Sequence, residues 1–185
     1  VNDHLRAMVQ EGFKAAVTDP LTGLYNRRYA MTHLCHQFQR ATQGQTALAL
    51  FVPDLDFFKR VNDTYGHAAG DQVLRRVAKL LQHVTRASDM VARIVGEEFL
   101  VVLPAASAKM GGNTAGGFCT MTRPLKIGPI LIKITASIDV SLRYNAAQTH
   151  VHLTAQELLK QADRALYRAK AMGRDRVSYF AEQAA

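Results

Sequence analysis

The chain has 185 residues, 48% apolar and 21% charged, which suffices for one domain with a full core. No apolar run reaches the length of a membrane span and nothing at the start reads as a signal peptide, so a cytoplasmic place is expected, free or tethered through a longer protein. Net charge is +8 (23 basic, 15 acidic), but the basic residues are scattered, tryptophan is absent and no aromatic pattern suits an RNA-binding sheet, so a mononucleotide fits better than DNA.

Residues 1–18 read as a helix, with Leu5, Met8, Val9, Phe13 and Val17 at helical spacing and Asp19-Pro20 as the break. A chain that starts mid-helix reads as a piece of a longer protein. Residues 19–28 form a structured turn, and Asn26 caps a helix over 27–41. After a loop at 42–45 comes a buried strand over 46–54, with Pro53 placed at its end because proline removes a ladder donor. Residues 57–61 make one helical turn, 62–67 a turn, and 70–85 an amphipathic helix on Val73, Leu74, Val77, Leu80, Leu81 and Val84. Residues 91–95 and 99–103 pair as a hairpin. Four glycines dilute any helix in 105–128, and 129–141 alternates as one half-buried strand. A loop leads to a helix over 154–172, capped by Thr154 and stopped by Gly173, and 176–180 is a last short strand. Cys35 and Cys119 lack metal-site spacing and disulfide density, so both are read as reduced thiols. This order argues an α+β layer, helices on a mostly antiparallel sheet, and no GxGxxG or GxxxxGK[ST] turn follows a strand.

Two strand ends carry acids: Asp54 and Asp56 on one, Glu97 and Glu98 on the hairpin turn. If the strands pair, these carboxylates share a sheet edge and suit a hard cation such as Mg²⁺. Lys59 lies one helical turn beyond and can neutralise a phosphate. Asn62, His67 and Asp71 offer donors and acceptors suited to a purine edge, though Asn62 as a turn former and Asp71 as a helix-start charge explain themselves as well. Lys170 and Arg174 stand near a helix C-terminus, where cations are favoured in any case. Arg86 and Asp89 make a surface ion pair or an anion site.

Taken together, DPLTGLYNRR (19–28), DLDFFKRVNDTYGHAAGD (54–71), RASD (86–89), RIVGEEF (93–99) and DRALYRAKAMGRDRV (163–177) resemble the GGDEF family of bacterial diguanylate cyclases, in its order and spacing. The resemblance covers about residues 19–180, and residues 1–18 are then similar to the family's stalk, which leads from an upstream sensor or receiver domain. It implies a nucleotidyl-cyclase-like fold with a ferredoxin-like core, in which a homodimer condenses two GTP into cyclic di-GMP and pyrophosphate. By motif position, Asp54, the Leu55 carbonyl and Glu97 would bind Mg²⁺ or Mn²⁺, with Glu98 beside them. Glu97 would also activate the attacking hydroxyl, and Lys59 would stabilise phosphate charge. Asn62, His67, Asp71 and Gly96 would hold the nucleotide, Asn62 and Asp71 on guanine, while Lys170 and Arg174 would reach phosphates. Arg86 and Asp89 match the family's RxxD inhibitory site for cyclic di-GMP.

The first signature glycine is Val95 here, and Ser137-Ile138-Asp139 replaces an S-I-G element. If the turn needs a positive φ at Val95, the β-branched side chain strains it and weakens GTP binding. The expectation is thus a cyclase, with a weakened domain that binds GTP or cyclic di-GMP as a regulatory module, or a pure interaction module, as the alternatives.

Overall fold

Strand β1 (Leu48–Leu55) is buried along its whole length, because it is paired on both edges and covered on both faces. Alternate residues go to opposite sides, as a strand's period of two requires. Ala49, Phe51 and Leu55 enter one apolar cluster, and Leu48, Leu50 and Val52 enter the other. The computed structural model describes residues 2–179 except Gln45, Arg123, Lys133 and 144–153. The loop expected before Thr154 and the end of the last strand at Phe180 lie outside the described residues.

In chain order the other elements are α1 (Asn2–Val17), α2 (Arg27–Gln43), α3 (Phe58–Tyr65), α4 (His67–Val84), β2 (Met90–Val95), β3 (Glu98–Pro104), α5 (Ala108–Met121), β4 (Leu125–Ile127), β5 (Ile130–Ile132), β6 (Ala136–Arg143), α6 (Ala155–Ala171) and β7 (Val177–Tyr179). The main sheet runs β2-β3-β1-β6-β7, antiparallel except for the last pair. Helices α2 and α6 cover one face through Ala30, Leu34, Phe38, Ala162 and Leu166. Helices α3, α4 and α5 cover the other through Phe58, Val61, Val73, Val77 and Phe118. This is the expected α+β layering.

Local signals set the helix starts. The Asn26 side chain accepts from Tyr29 N, and Thr154 closes a capping box with Glu157. Helix α1 buries no residue: Leu5, Met8, Val9 and Phe13 are 56–65% exposed. No described helix is long and apolar enough to cross a membrane.

Four expectations change. Pro53 sits inside β1, opposite Ile138 of β6, and the β1–β3 ladder is interrupted at Val52 and Pro53, so the missing donor costs little on that side. Asn62 and Asp63 lie in α3 rather than in a turn, and only Gly66, with φ of +81°, separates α3 from α4. The weak stretch contains a full α5, capped by Ser107 and held by buried Ala115, Phe118 and Cys119; tertiary packing outweighs its glycines. The single strand expected over 129–141 is two, because Gly128 (φ +55°) turns the chain and gives Ile130–Ile132 a local partner in β4. Only from Ala136 does the chain join the main sheet.

Candidate functional site

The antiparallel register of β1 and β3 sets Asp54 opposite Glu98, and Leu55 N donates to Glu97 O at 3.4 Å. The acidic end of β1 therefore meets the hairpin turn, as the pairing of two acidic strand ends requires. In that turn the left-handed backbone falls on Gly96 (φ +52°), not on Val95. Val95 pairs with Glu98 as the last residue of β2 and is 56% exposed. The expected strain is absent: a bulge between Arg93 and Val95 shifts the register and hands the special geometry to glycine.

Asp54 is 3% exposed, and Lys170 Nζ reaches across from α6 to its Oδ2 at 2.8 Å. Burial pushes the Asp54 carboxyl above the usual carboxylate range; the Lys170 bond opposes this, and Glu97 and Asp56 add to it. Burial likewise raises Glu98, with Asp54, Asp163 and Glu97 adding and Lys170 opposing. Glu98, Asp163, Leu166, Tyr167 and Lys170 line a recess of about 270 Å³. Several carboxyls thus crowd around one ammonium, an environment that favours a further cation with hard oxygen ligands. Among the described residues no three His, Cys, Asp or Glu side chains converge closely enough to hold a metal unaided. Asp54 and Glu97 fit a divalent ion whose other ligands are carbonyl, water or substrate oxygens.

The remaining expected residues divide between two elements and a loop. Lys59 is exposed in the first turn of α3, and half-buried Asn62 lies one turn further on. His67 is exposed at the first position of α4, and Asp71 is half-buried one turn later. The α3–α4 corner brings Asn62 against Gly70, where an added Cβ would fall on Asn62 Oδ1. Arg174 leaves the end of α6 with φ of +62° and sets its guanidinium 4.5 Å from the Phe57 ring centroid.

Asp56 adds its charge to the acidic group but turns its carboxylate to other partners. Its carboxylate accepts from Thr135 Oγ1, Ser137 Oγ and Asp175 N, at 2.8, 2.7 and 3.1 Å. Sequence spacing also missed Arg93. Its Nε donates to Gly96 O at 2.9 Å, and its Nη1 lies 3.3 Å from an Asp19 carboxylate oxygen. Asp19 in turn accepts from Thr22 N and Oγ1. The signature turn is thereby braced against the turn that follows α1. The available signal was an arginine three residues before a glycine turn, which is too common to single out.

Arg86 and Asp89 form one unit. Arg86 Nη2 and Nε donate to the Asp89 carboxylate at 2.7 and 3.1 Å, and Arg86 N donates to Oδ2 at 2.7 Å. The Asp89 side chain is 2% exposed and that of Arg86 45%, so the acid presents the guanidinium to solvent. Both line a cleft of about 510 Å³ that also includes Phe13, Lys14 and Val17 of α1.

Comparison with known proteins follows the same lines. Residues 16–176 match the family described as Diguanylate cyclase, GGDEF domain. The response regulator PleD of Caulobacter vibrioides is 37% identical over 183 residues, covering 95% of this chain and 38% of its own length. The diguanylate cyclase DgcP of Pseudomonas aeruginosa is 39% identical over 166 residues, covering 88% of this chain and 24% of its own. The coiled coil and GGDEF domain of DgcB from Caulobacter crescentus, solved in complex with c-di-GMP, superposes with a TM-score of 0.85 at 31% identity, covering 96% and 92% of the two chains. The chain thus spans 38% and 24% of the length of those two curated relatives.

Proposed function

The chain belongs to the GGDEF family of diguanylate cyclases, and from that premise we propose that it condenses two GTP into cyclic di-GMP. The observation that carries the reading is the meeting of Asp54, Glu97 and Lys170 where β1, the hairpin turn and α6 converge. Each copy in a homodimer holds one GTP, and each 3′-hydroxyl attacks the other nucleotide's α-phosphate, expelling pyrophosphate. Facing domains supply the proximity that makes this attack effectively unimolecular.

Asn62 and Asp71 read the guanine edge, with His67 and Gly96 lining the nucleotide. Glu97 takes the proton of the attacking hydroxyl, and Lys59 and Arg174 stabilise charge on the phosphates. Lys170 rests on Asp54 in the structure and exchanges that carboxylate for phosphate when a nucleotide enters. Asp54, the Leu55 carbonyl and Glu97, with Glu98 beside them, would hold Mg²⁺ or Mn²⁺. Bound there, the ion neutralises charge that builds on the phosphates. The apolar stripe of α1 joins the domain to an upstream sensor or receiver.

Incubation with GTP and Mg²⁺, with quantification of cyclic di-GMP and pyrophosphate, tests the reading; neither product nor nucleotide binding would exclude it. Cyclic di-GMP returns as an inhibitor to the cleft beside Arg86. Arg86→Ala is expected to weaken that binding by about 1–3 kcal/mol, the scale of a lost charged hydrogen bond. Unchanged affinity by calorimetry would remove Arg86 from the inhibitory site. At Val95 only crowding remains once strain is absent. Val95→Gly should therefore improve GTP affinity by less than about tenfold, under 1.4 kcal/mol. A larger gain would mean that valine obstructs the site.

A further inference from the structure

Asp54 and Asp56 end the same strand region, yet they face different tasks. Asp56 is 4% exposed. Its Oδ1 accepts from Ser137 Oγ, its Oδ2 accepts from both Thr135 Oγ1 and Asp175 N, and its own N donates to Thr135 O at 2.8 Å. Thr135 and Ser137 stand at the entry to β6, and Asp175 belongs to the loop between α6 and β7. One carboxylate therefore joins three segments remote in sequence.

The loop needs such a tie. Gly173, Arg174 and Asp175 have φ of +108°, +62° and +50°, so two side-chain-bearing residues in succession are left-handed. Conformations of that kind persist only where the surroundings over-determine them. Arg174 N donates to Ala169 O at 3.0 Å, closing the helix, while the next amide goes to Asp56. The Arg174 guanidinium then lies over Phe57, the residue after Asp56 and itself left-handed at φ of +56°. The backbone on both sides of the cation–ring contact is thus pinned at Asp56.

We infer that Asp56 is a positioning residue: it holds the α6–β7 loop so that Arg174 meets the nucleotide's phosphates, and it does not ligate the metal. The inference rests on the reading of Arg174 as a phosphate contact. The Asp56 carboxylate already accepts from three protein donors, which fix its orientation toward β6 and the α6–β7 loop rather than toward the hairpin turn.

The test is calorimetric binding of α,β-methylene GTP, which cannot be condensed, to this chain over a range of Mg²⁺ concentrations. Asp56→Ala should weaken binding about tenfold, the scale of one misplaced charged contact, and add nothing to the loss caused by Arg174→Ala. Asp56→Asn should restore affinity to within about threefold with an unaltered Mg²⁺ requirement, because its amide oxygen can keep Thr135 and Asp175 while the Ser137 hydroxyl turns to accept. Unchanged binding in Asp56→Ala, additive losses, or a raised Mg²⁺ requirement in Asp56→Asn would overturn the inference. A wild-type chain that binds no analogue would instead sink the functional reading, and amide exchange then decides the tie alone. That measurement also serves if Asp56→Ala does not fold. Slow exchange at the Asp175 amide in wild type and in Asp56→Asn upholds the tie, and exchange at open-loop rates in wild type overturns it.

Discussion

Asp54→Asn is expected to abolish Mg²⁺-dependent synthesis of cyclic di-GMP, a loss of roughly 10²–10³ or more, on the scale of removing one preorganised charge-stabilising group. Glu97→Gln should do the same. The two differ in what they do to the fold. Asp54 is buried, and that burial, which the Lys170 ammonium only partly offsets, pushes its carboxyl upward, so the charged form costs more here than in water. A neutral isostere escapes the desolvation cost. What it gives up is the Lys170 pair, whose lysine side chain is 34% exposed and can turn to water. Asp54→Asn should therefore unfold at a temperature equal to or above that of wild type while losing activity, the mark of a group kept for function. Glu97 is half-buried on the turn, and Glu97→Gln should leave stability within about 0.5 kcal/mol, as surface substitutions do. Product assays beside thermal unfolding read both quantities. Retained Mg²⁺-dependent synthesis in either variant would take that residue out of the mechanism.

Features governed by neighbouring residues were legible in the sequence. The caps at Asn26 and Thr154, the stripe of α4 and the hairpin at Gly96 follow from local rules of period and turn chemistry, and the structure has them. The ordered motifs added the meeting of Asp54 with Glu97, which no local rule supplies. Features governed by distant partners were not legible. Alternation over 129–141 is the same whether Ile130–Ile132 pairs with β4 or with β1; the choice falls at Gly128, where a short turn offers a nearer partner. Pro53 violates a rule for central strands, and only the interrupted ladder toward β3 explains how it is accommodated. Asp56 stands in the same motif as Asp54, and nothing in its spacing says that Thr135, Ser137 and Asp175 will claim its carboxylate. Val95 shows the converse case. The sequence leaves open whether the substituted residue must carry the turn's left-handed geometry, and the bulge gives that geometry to Gly96.

Gly70→Ala should damage guanine recognition without touching the nucleotide. Gly70 is buried in the second turn of α4 and has an ordinary helical backbone, so alanine there is favoured by about 1 kcal/mol in propensity alone. Its Cβ, however, would land on Asn62 Oδ1, with Asn62 Cγ at 3.1 Å and Phe58 Cζ at 3.3 Å. The Phe58 ring is buried and cannot yield far, so the Asn62 carboxamide moves. If that amide reads the guanine edge, the loss should be about 1–3 kcal/mol of discrimination, the worth of a good amide–base pair. GTP binding should weaken by roughly tenfold or more, while binding of ATP, which has no guanine edge for Asn62 to read, should change little. The propensity gain offsets the crowding at Asn62 and Phe58, so circular dichroism should match wild type and the unfolding midpoint should stay close to it. A double-mutant comparison locates the effect: in an Asn62→Ala background the added methyl meets no amide, and Gly70→Ala should cost nothing further. Equal GTP affinity and equal GTP-over-ATP preference in wild type and Gly70→Ala would show that Asn62 does not read the base.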